Sequence, residues 1–216
     1  MSTIKIDFVS DVACPWCAVG LGGLLTAITR IGPDAQFEIH MQPFELNPDM
    51  PKGGQNTGER LMQKYGYDKA RLQENRKVIA ERAAAVGMPM HQTDDSRSYN
   101  TFDAHRLLHW AGTLGQAQQV ALKRQLLKVY HFDNFDTSET DVLVQAAQDA
   151  GLDADAAREV LESGRYAEEV RNEETTWRDL GISSVPSVII NDKYLVSGGQ
   201  PPEAFEQALR QIASEA

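Results

Sequence analysis

The chain reads as an α/β protein whose small sheet is built from its two ends and interrupted by a large all-helical insertion. Three observations point there. Apolar and polar residues alternate with period two only near residues 4–41 and 188–196. Between them, after Pro48, more than about a hundred residues carry helical spacing and no strand pattern. Both cysteines of the chain, Cys14 and Cys17, stand where the first strand gives way to the first helix. At 216 residues, 42% hydrophobic and 24% charged, the chain can bury a sizeable core without cross-links.

Each element has its own signal. Ile4, Ile6 and Phe8 alternate with Lys5 and Asp7, as in a strand with one buried face. From Cys14 the spacing turns helical, with Val19, Leu21, Leu24, Leu25 and Ile28 apolar until Gly32-Pro33 ends the run. Gly20, Gly22 and Gly23 weaken this helix by up to about 1 kcal/mol each, so close packing must compensate. Phe37, Ile39 and Met41 form the next strand, and a helix of this length suits a right-handed crossover between parallel neighbours. Pro51 to Asn56 is a loop, and Asp68 can cap a helix running to about Gly87. Asn100 with Asp103 opens another helix. Further runs follow at about 116–130, 139–150, 155–163 and 166–180. Val188-Ile189-Ile190, the turn residues Asn191-Asp192 and Tyr194-Leu195-Val196 make a hairpin. Pro201-Pro202 starts a last helix with Phe205, Leu209 and Ile212 on one face.

Acidic residues outnumber basic ones 31 to 21, a balance that opposes phosphate binding and argues against a nucleic-acid partner. No apolar run approaches the roughly 20 residues of a membrane span, so no membrane partner is expected. The start, Met1-Ser2-Thr3-Ile4-Lys5, lacks the basic and apolar regions of an export signal, and a cytoplasmic location is the expectation. In a reducing compartment two cysteines three positions apart suggest catalysis or metal binding rather than a structural cross-link.

A strand–Cys-x-x-Cys–helix context is the one redox chemistry requires. At the helix N-terminus free backbone N–H groups and the positive end of the macrodipole favour an anion, which makes Cys14 the attacking thiolate. Pro15 suits the first turn and holds Cys14 facing out, while Cys17 sits deeper as the resolving thiol. Attack on a substrate disulfide gives a mixed disulfide, which Cys17 breaks to leave an oxidised pair. Trp16 carries no charge to offer the thiolate, which argues against an extreme oxidant; Pro15 and Trp16 together tune the pair. Val185-Pro186 precedes the hairpin. A cis bond there would turn the backbone of Val185 towards the thiols, where its peptide groups could pair with an extended substrate.

Cys14-Pro15-Trp16-Cys17, the Pro43–Pro48 run, Asn100 to Arg106, and Val185-Pro186 followed by Ser197-Gly198-Gly199-Gln200 together resemble the DsbA-like superfamily, with the FrnE-like branch most similar. The resemblance spans nearly the whole chain. It implies a thioredoxin fold, residues 1–48 and 164–216, with a helical insertion domain at 49–163 and a cis-proline opposite the dithiol. The substrate is then expected in the cleft between the two, walled by Val185 and Pro186, with Phe44, His105 and Trp110 as further cleft residues. A disulfide-containing protein or a small thiol is the expected substrate. No cofactor is required, although glutathione is compatible as a co-substrate, and so is a homodimer.

Three rivals stand beside this reading. Zinc held by Cys14, Cys17, His105 and His109 has enough ligands, yet the two histidines are more simply explained as packed helix residues, and the expectation is no metal. Ala18 stands where a c-type haem motif needs histidine. The related kappa-class glutathione transferases and hydroxychromene-carboxylate isomerases use glutathione on small aromatic or polyketide-like molecules, although they usually carry serine at the position of Cys14. A binding or chaperone module without turnover is the third.

Overall fold

The computed structural model describes residues 3–215. The chain starts with β1 (Thr3–Ser10), α1 (Pro15–Ile31) and β2 (Gln36–Pro43). A helical stretch follows: a two-residue strand β3 (Gln55–Asn56), α2 (Thr57–Tyr65), α3 (Lys69–Ala85), its partner β4 (Arg97–Ser98), α4 (Phe102–Leu114) and α5 (Gln116–Lys128), then α6 (Thr140–Asp149), α7 (Ala154–Ser163) and α8 (Ala167–Asp179). The chain returns through β5 (Ser187–Ile190), β6 (Tyr194–Ser197) and α9 (Pro202–Ser214). The main sheet runs β2-β1-β5-β6. β1 and β2 are parallel, Thr3 opposite Gln36 through Ser10 opposite Pro43, while β5 is antiparallel to both β1 and β6.

Alternation on β1 divides the packing. Ile4, Ile6 and Phe8 join Leu21 and Leu24 of α1 and Phe205 and Leu209 of α9 in one core. Val9 points the other way, to Phe44 and Ile182, with Trp177 of α8 packed alongside. Burying a side chain of Leu or Phe size contributes about 1.5–3 kcal/mol, so these faces outweigh the weak helix propensity of the glycines in α1. Gly22 is where the close approach is made: a Cβ there would lie 2.6 Å from Cγ2 and 2.7 Å from the carbonyl oxygen of Val86, just past α3.

The helices α4–α7 enclose a second core around Leu107, Leu122, Leu126, Leu143 and Val160. It is joined to the sheet by side-chain amides of α5. Gln116 Oε1 accepts from Ile39 N at 2.9 Å, and Gln119 Oε1 accepts from Met41 N at 2.8 Å. Gln119 Nε2 donates to the Met41 carbonyl at 3.3 Å. The outer edge of β2 is therefore hydrogen-bonded by side chains rather than left for another strand. At the end of β2, Arg171 of α8 bridges the buried carboxylates of Glu45 and Glu174 and stacks 3.8 Å from the Phe102 ring.

Three local details depart from expectation. α2 is a helix of nine residues where none is expected; Asn56 caps it by accepting from Glu59 N at 2.9 Å. The β3–β4 ladder lies inside the stretch read as strandless. The helix expected to reach Tyr130 ends at Lys128 and widens into a π turn, Val129–Asp133, which Asn134 stops with a left-handed φ of 58°.

Candidate active site

β1 delivers the chain to the loop Asp11–Cys14, and Cys14 occupies the N-cap of α1 with extended backbone (φ −92°, ψ 112°) and no capping hydrogen bond of its own. Pro15, at the first helical position, forgoes no hydrogen bond. Cys14 N donates to the Asp11 carbonyl at 3.2 Å and Cys17 N to the Cys14 carbonyl at 3.0 Å. Both thiols are free. Cys17 is fully buried, and Cys14, expected to face outward, is only 5% exposed. The covering group is the loop before β5: Cys14 Sγ lies 3.6 Å from the Val185 carbonyl oxygen. The Val185–Pro186 peptide bond is cis. Pro186 also packs on α1, where a Cβ at Gly20 would come within 3.0 Å of its Cγ. Trp16 is half-buried with the Arg82 guanidinium 5.4 Å from its ring centroid.

Around the dithiol loop lies a group of buried polar side chains. Asp11 is 0% exposed and its carboxylate accepts from Ala13 N (3.1 Å), Leu46 N (2.7 Å) and Thr101 Oγ1 (2.8 Å). His105 Nε2 stands 3.4 Å away, an electrostatic contact rather than a well-formed hydrogen bond. Burial alone would push the Asp11 carboxyl up; His105 and the donors outweigh it and hold the carboxyl below its ordinary value. Burial, then the neighbouring Cys14 sulfur, push the Cys17 thiol well above its ordinary range, opposed by the charge of Lys123. Lys123 of α5 is itself 0% exposed, and burial pulls its amine down against the pull of Cys17, Asp11 and Cys14. His131, on the π turn, donates from Nε2 to the Val12 carbonyl at 2.9 Å and is held down to about 4, chiefly by burial.

The expected site residues thus fall into two groups. Cys14, Cys17, Val185 and Pro186 come together, with Pro15 and Trp16 beside them. Phe44 and Trp110, expected on a cleft wall, are instead packing residues. Phe44 is 7% exposed in the cluster under Val185, and Trp110 is 6% exposed in the α4–α7 core, because apolar rings on these faces are drawn into the nearest interface. His105 is 2% exposed and reaches the dithiol loop only through Asp11, although it lines a polar cavity of 210 Å³ with His40, His109 and Glu173. His109 pairs with Glu173 at 3.1 Å rather than with a thiol. Asp11, Lys123 and His131 were not singled out from sequence. For Lys123 a signal exists, since Leu122, Leu126 and Leu127 place it on the buried stripe of its helix.

A four-stranded mixed sheet flanked by α1 and α9, with a dithiol at the first helix N-terminus facing a cis-proline loop, defines the thioredoxin class of fold with DsbA-like helical content. The model of the DSBA-like thioredoxin domain matches residues 5–210, and the chain belongs to that family, whose members are in general thiol-disulfide oxidoreductases. It is similar to the probable DsbA oxidoreductase SCO1869 of Streptomyces coelicolor, at 34% identity and a TM-score of 0.88 over 99% of this chain and 91% of that one. The uncharacterized protein YwbO of Bacillus subtilis (strain 168) is 24% identical over 208 residues, 96% of each chain. The cytosolic disulfide reductase DsbM of Pseudomonas aeruginosa, a structure also solved with GSH, has the same fold at 16% identity and a TM-score of 0.68, over 98% of this chain and 100% of that one. Among the described residues no helix is long and apolar enough to cross a membrane, and no three His, Cys, Asp or Glu side chains are grouped to hold a metal.

Proposed function

We propose that the protein is a thiol-disulfide oxidoreductase of the reductase or isomerase type, working in the cytoplasm as a FrnE-like member of its family. The observation that carries the reading is the placement of Cys14 Sγ, at an uncapped helix N-terminus and 3.6 Å from the carbonyl before the cis-proline. A substrate disulfide laid against Val185 and Pro186 meets the Cys14 thiolate. The Cys14–substrate bond forms as the first substrate thiolate leaves, and Cys17 then attacks Cys14 Sγ, releasing the second. The two thiols supply both electrons, so no bound cofactor is needed, and glutathione enters as the co-substrate that reduces the pair. The GSH-bound DsbM structure supports that choice.

Insulin reduction with dithiothreitol or glutathione tests it. The wild type is expected to turn over, Cys14→Ser to lose activity, and Cys17→Ser to accumulate a mixed disulfide. Equal activity in all three overturns the reading. One feature favours a second reading, glutathione-dependent isomerisation or transfer on a small aromatic molecule. This is a largely apolar cavity of 530 Å³ bordered by Ala18, Met88, Met90 and Phe132, with Arg124 and Lys128 at its rim. That activity would survive Cys17→Ser and require both glutathione and the aromatic substrate.

A further inference from the structure

We propose that the cavity between α1, α5 and the π turn binds a small aromatic acid, whose ring O–H or N–H donates to Nδ1 of His131 and whose carboxylate meets Arg124. The proposal deepens the second reading above, on whose cavity it rests, and concerns binding alone, whether or not the bound molecule is transformed. At 530 Å³ the cavity has the size of a small-molecule site. Its walls are Ala18 of α1, Leu127 of α5, Phe132, and Met88 and Met90 from the segment after α3. Thioethers are adaptable and pack favourably against aromatic rings. Phe132 is left 42% exposed beside this space, an apolar ring that an aromatic ligand would cover. Neither cysteine lines it, nor does Val185 or Pro186, so it is distinct from the thiol cleft.

His131 supplies the polar end. Its Nε2 donates to the Val12 carbonyl at 2.9 Å, so in the neutral ring that burial enforces it is Nδ1 that carries the lone pair. The ring is 2% exposed, lies on the cavity wall, and Nδ1 has no hydrogen-bond partner among the described residues. A buried acceptor left unpaired is costly, and the apolar walls offer a water few further partners. A ligand bearing a donor satisfies it. The rim selects the other end. Lys128 is committed to Asp133 at 2.6 Å, and the Asp149 carboxylate accepts from Gln125 at 3.2 Å and Gln145 at 2.8 Å. Arg124 is exposed and has no ion-pair partner among the described residues, although acidic side chains outnumber basic ones 31 to 21. Its planar fork fits a carboxylate. Arg124 and Lys128 together outweigh Asp149, so an amine in place of the acid is repelled. The same imidazole holds the dithiol loop through Nε2, and a molecule bound at Nδ1 is therefore felt at Val12, just before Cys14.

Calorimetric titration of the reduced protein without glutathione tests the site. Indolepropionate is expected to bind as a single equivalent. Naphthylpropionate, which lacks the ring N–H and strands Nδ1, and tryptamine, which replaces the acid by an ammonium, should each bind at least about tenfold more weakly. Arg124→Gln should weaken the indole acid by about tenfold while insulin reduction stays as in the wild type. The same titration followed by nuclear magnetic resonance should move the ring nitrogens of His131 and the amide of Ala13. Failure of the indole acid to bind at millimolar concentration overturns the site. So does binding that ignores both the ring N–H and Arg124→Gln, or that leaves the His131 resonances unmoved. Binding of the indole acid with these dependences, but without glutathione-dependent turnover of any aromatic substrate, supports the site and removes the second reading.

Discussion

His131 shows how burial of one side chain sets the behaviour of the whole chain in acid. Its ring is 2% exposed and held to about 4, against 6.5 when free. Between those values the unfolded chain binds a proton that the folded one refuses, so stability present above 6.5 is lost as pH falls towards 4. The loss amounts to about 3 kcal/mol in full and about 2 kcal/mol by roughly pH 5. Asp11 continues the trend lower down: its carboxyl is depressed, so its contribution is present above the ordinary value of 3.8 and lost below it. Urea unfolding at about pH 7.5 and about pH 5 checks the first effect, and His131→Gln should remove most of the difference between the two. Asp11 reads as an ordinary polar residue in the sequence because its neighbours in the chain do not bury it. Leu46 and Thr101 do, from segments far along it.

Among the elements, α1 carries the sharpest conflict between local preference and packing. Its glycines predict a frail helix, yet it lies at the centre of the sheet core. Gly22→Ala should gain about 1 kcal/mol of helix propensity and still destabilise the protein by about 1–2 kcal/mol, because the new methyl meets the Val86 backbone, which cannot step aside. Chemical denaturation of the variant measures the sign. Elsewhere, periodicity located β1, β2, the β5–β6 hairpin and α3–α9 to within a few residues. It missed α2, which is amphipathic but only nine residues long and polar on average, and the π turn, which depends on how His131 and Tyr130 are seated against Val12 and Tyr99.

The whole molecule is held together where α5 meets the free edge of β2. Gln119 satisfies both the N–H and the carbonyl of Met41 and reaches the Leu108 carbonyl at 3.1 Å. Gln119→Met keeps the volume and strands those groups, so it should cost about 1–3 kcal/mol. Because α5 also carries Lys123, the variant should loosen the dithiol environment as well, read as faster amide exchange in β2 and α5 together. From the sequence alone came the strand–helix–strand opening, the cysteines at its turn, the proline before the hairpin and the helical middle. All of these are written in spacings of a few residues. Which charges would be stripped of water was decided only by the tertiary structure. Desolvation of Asp11 and His131 is imposed by what packs on them from elsewhere in the chain, so the dithiol was legible as a motif and its buried polar surroundings were not.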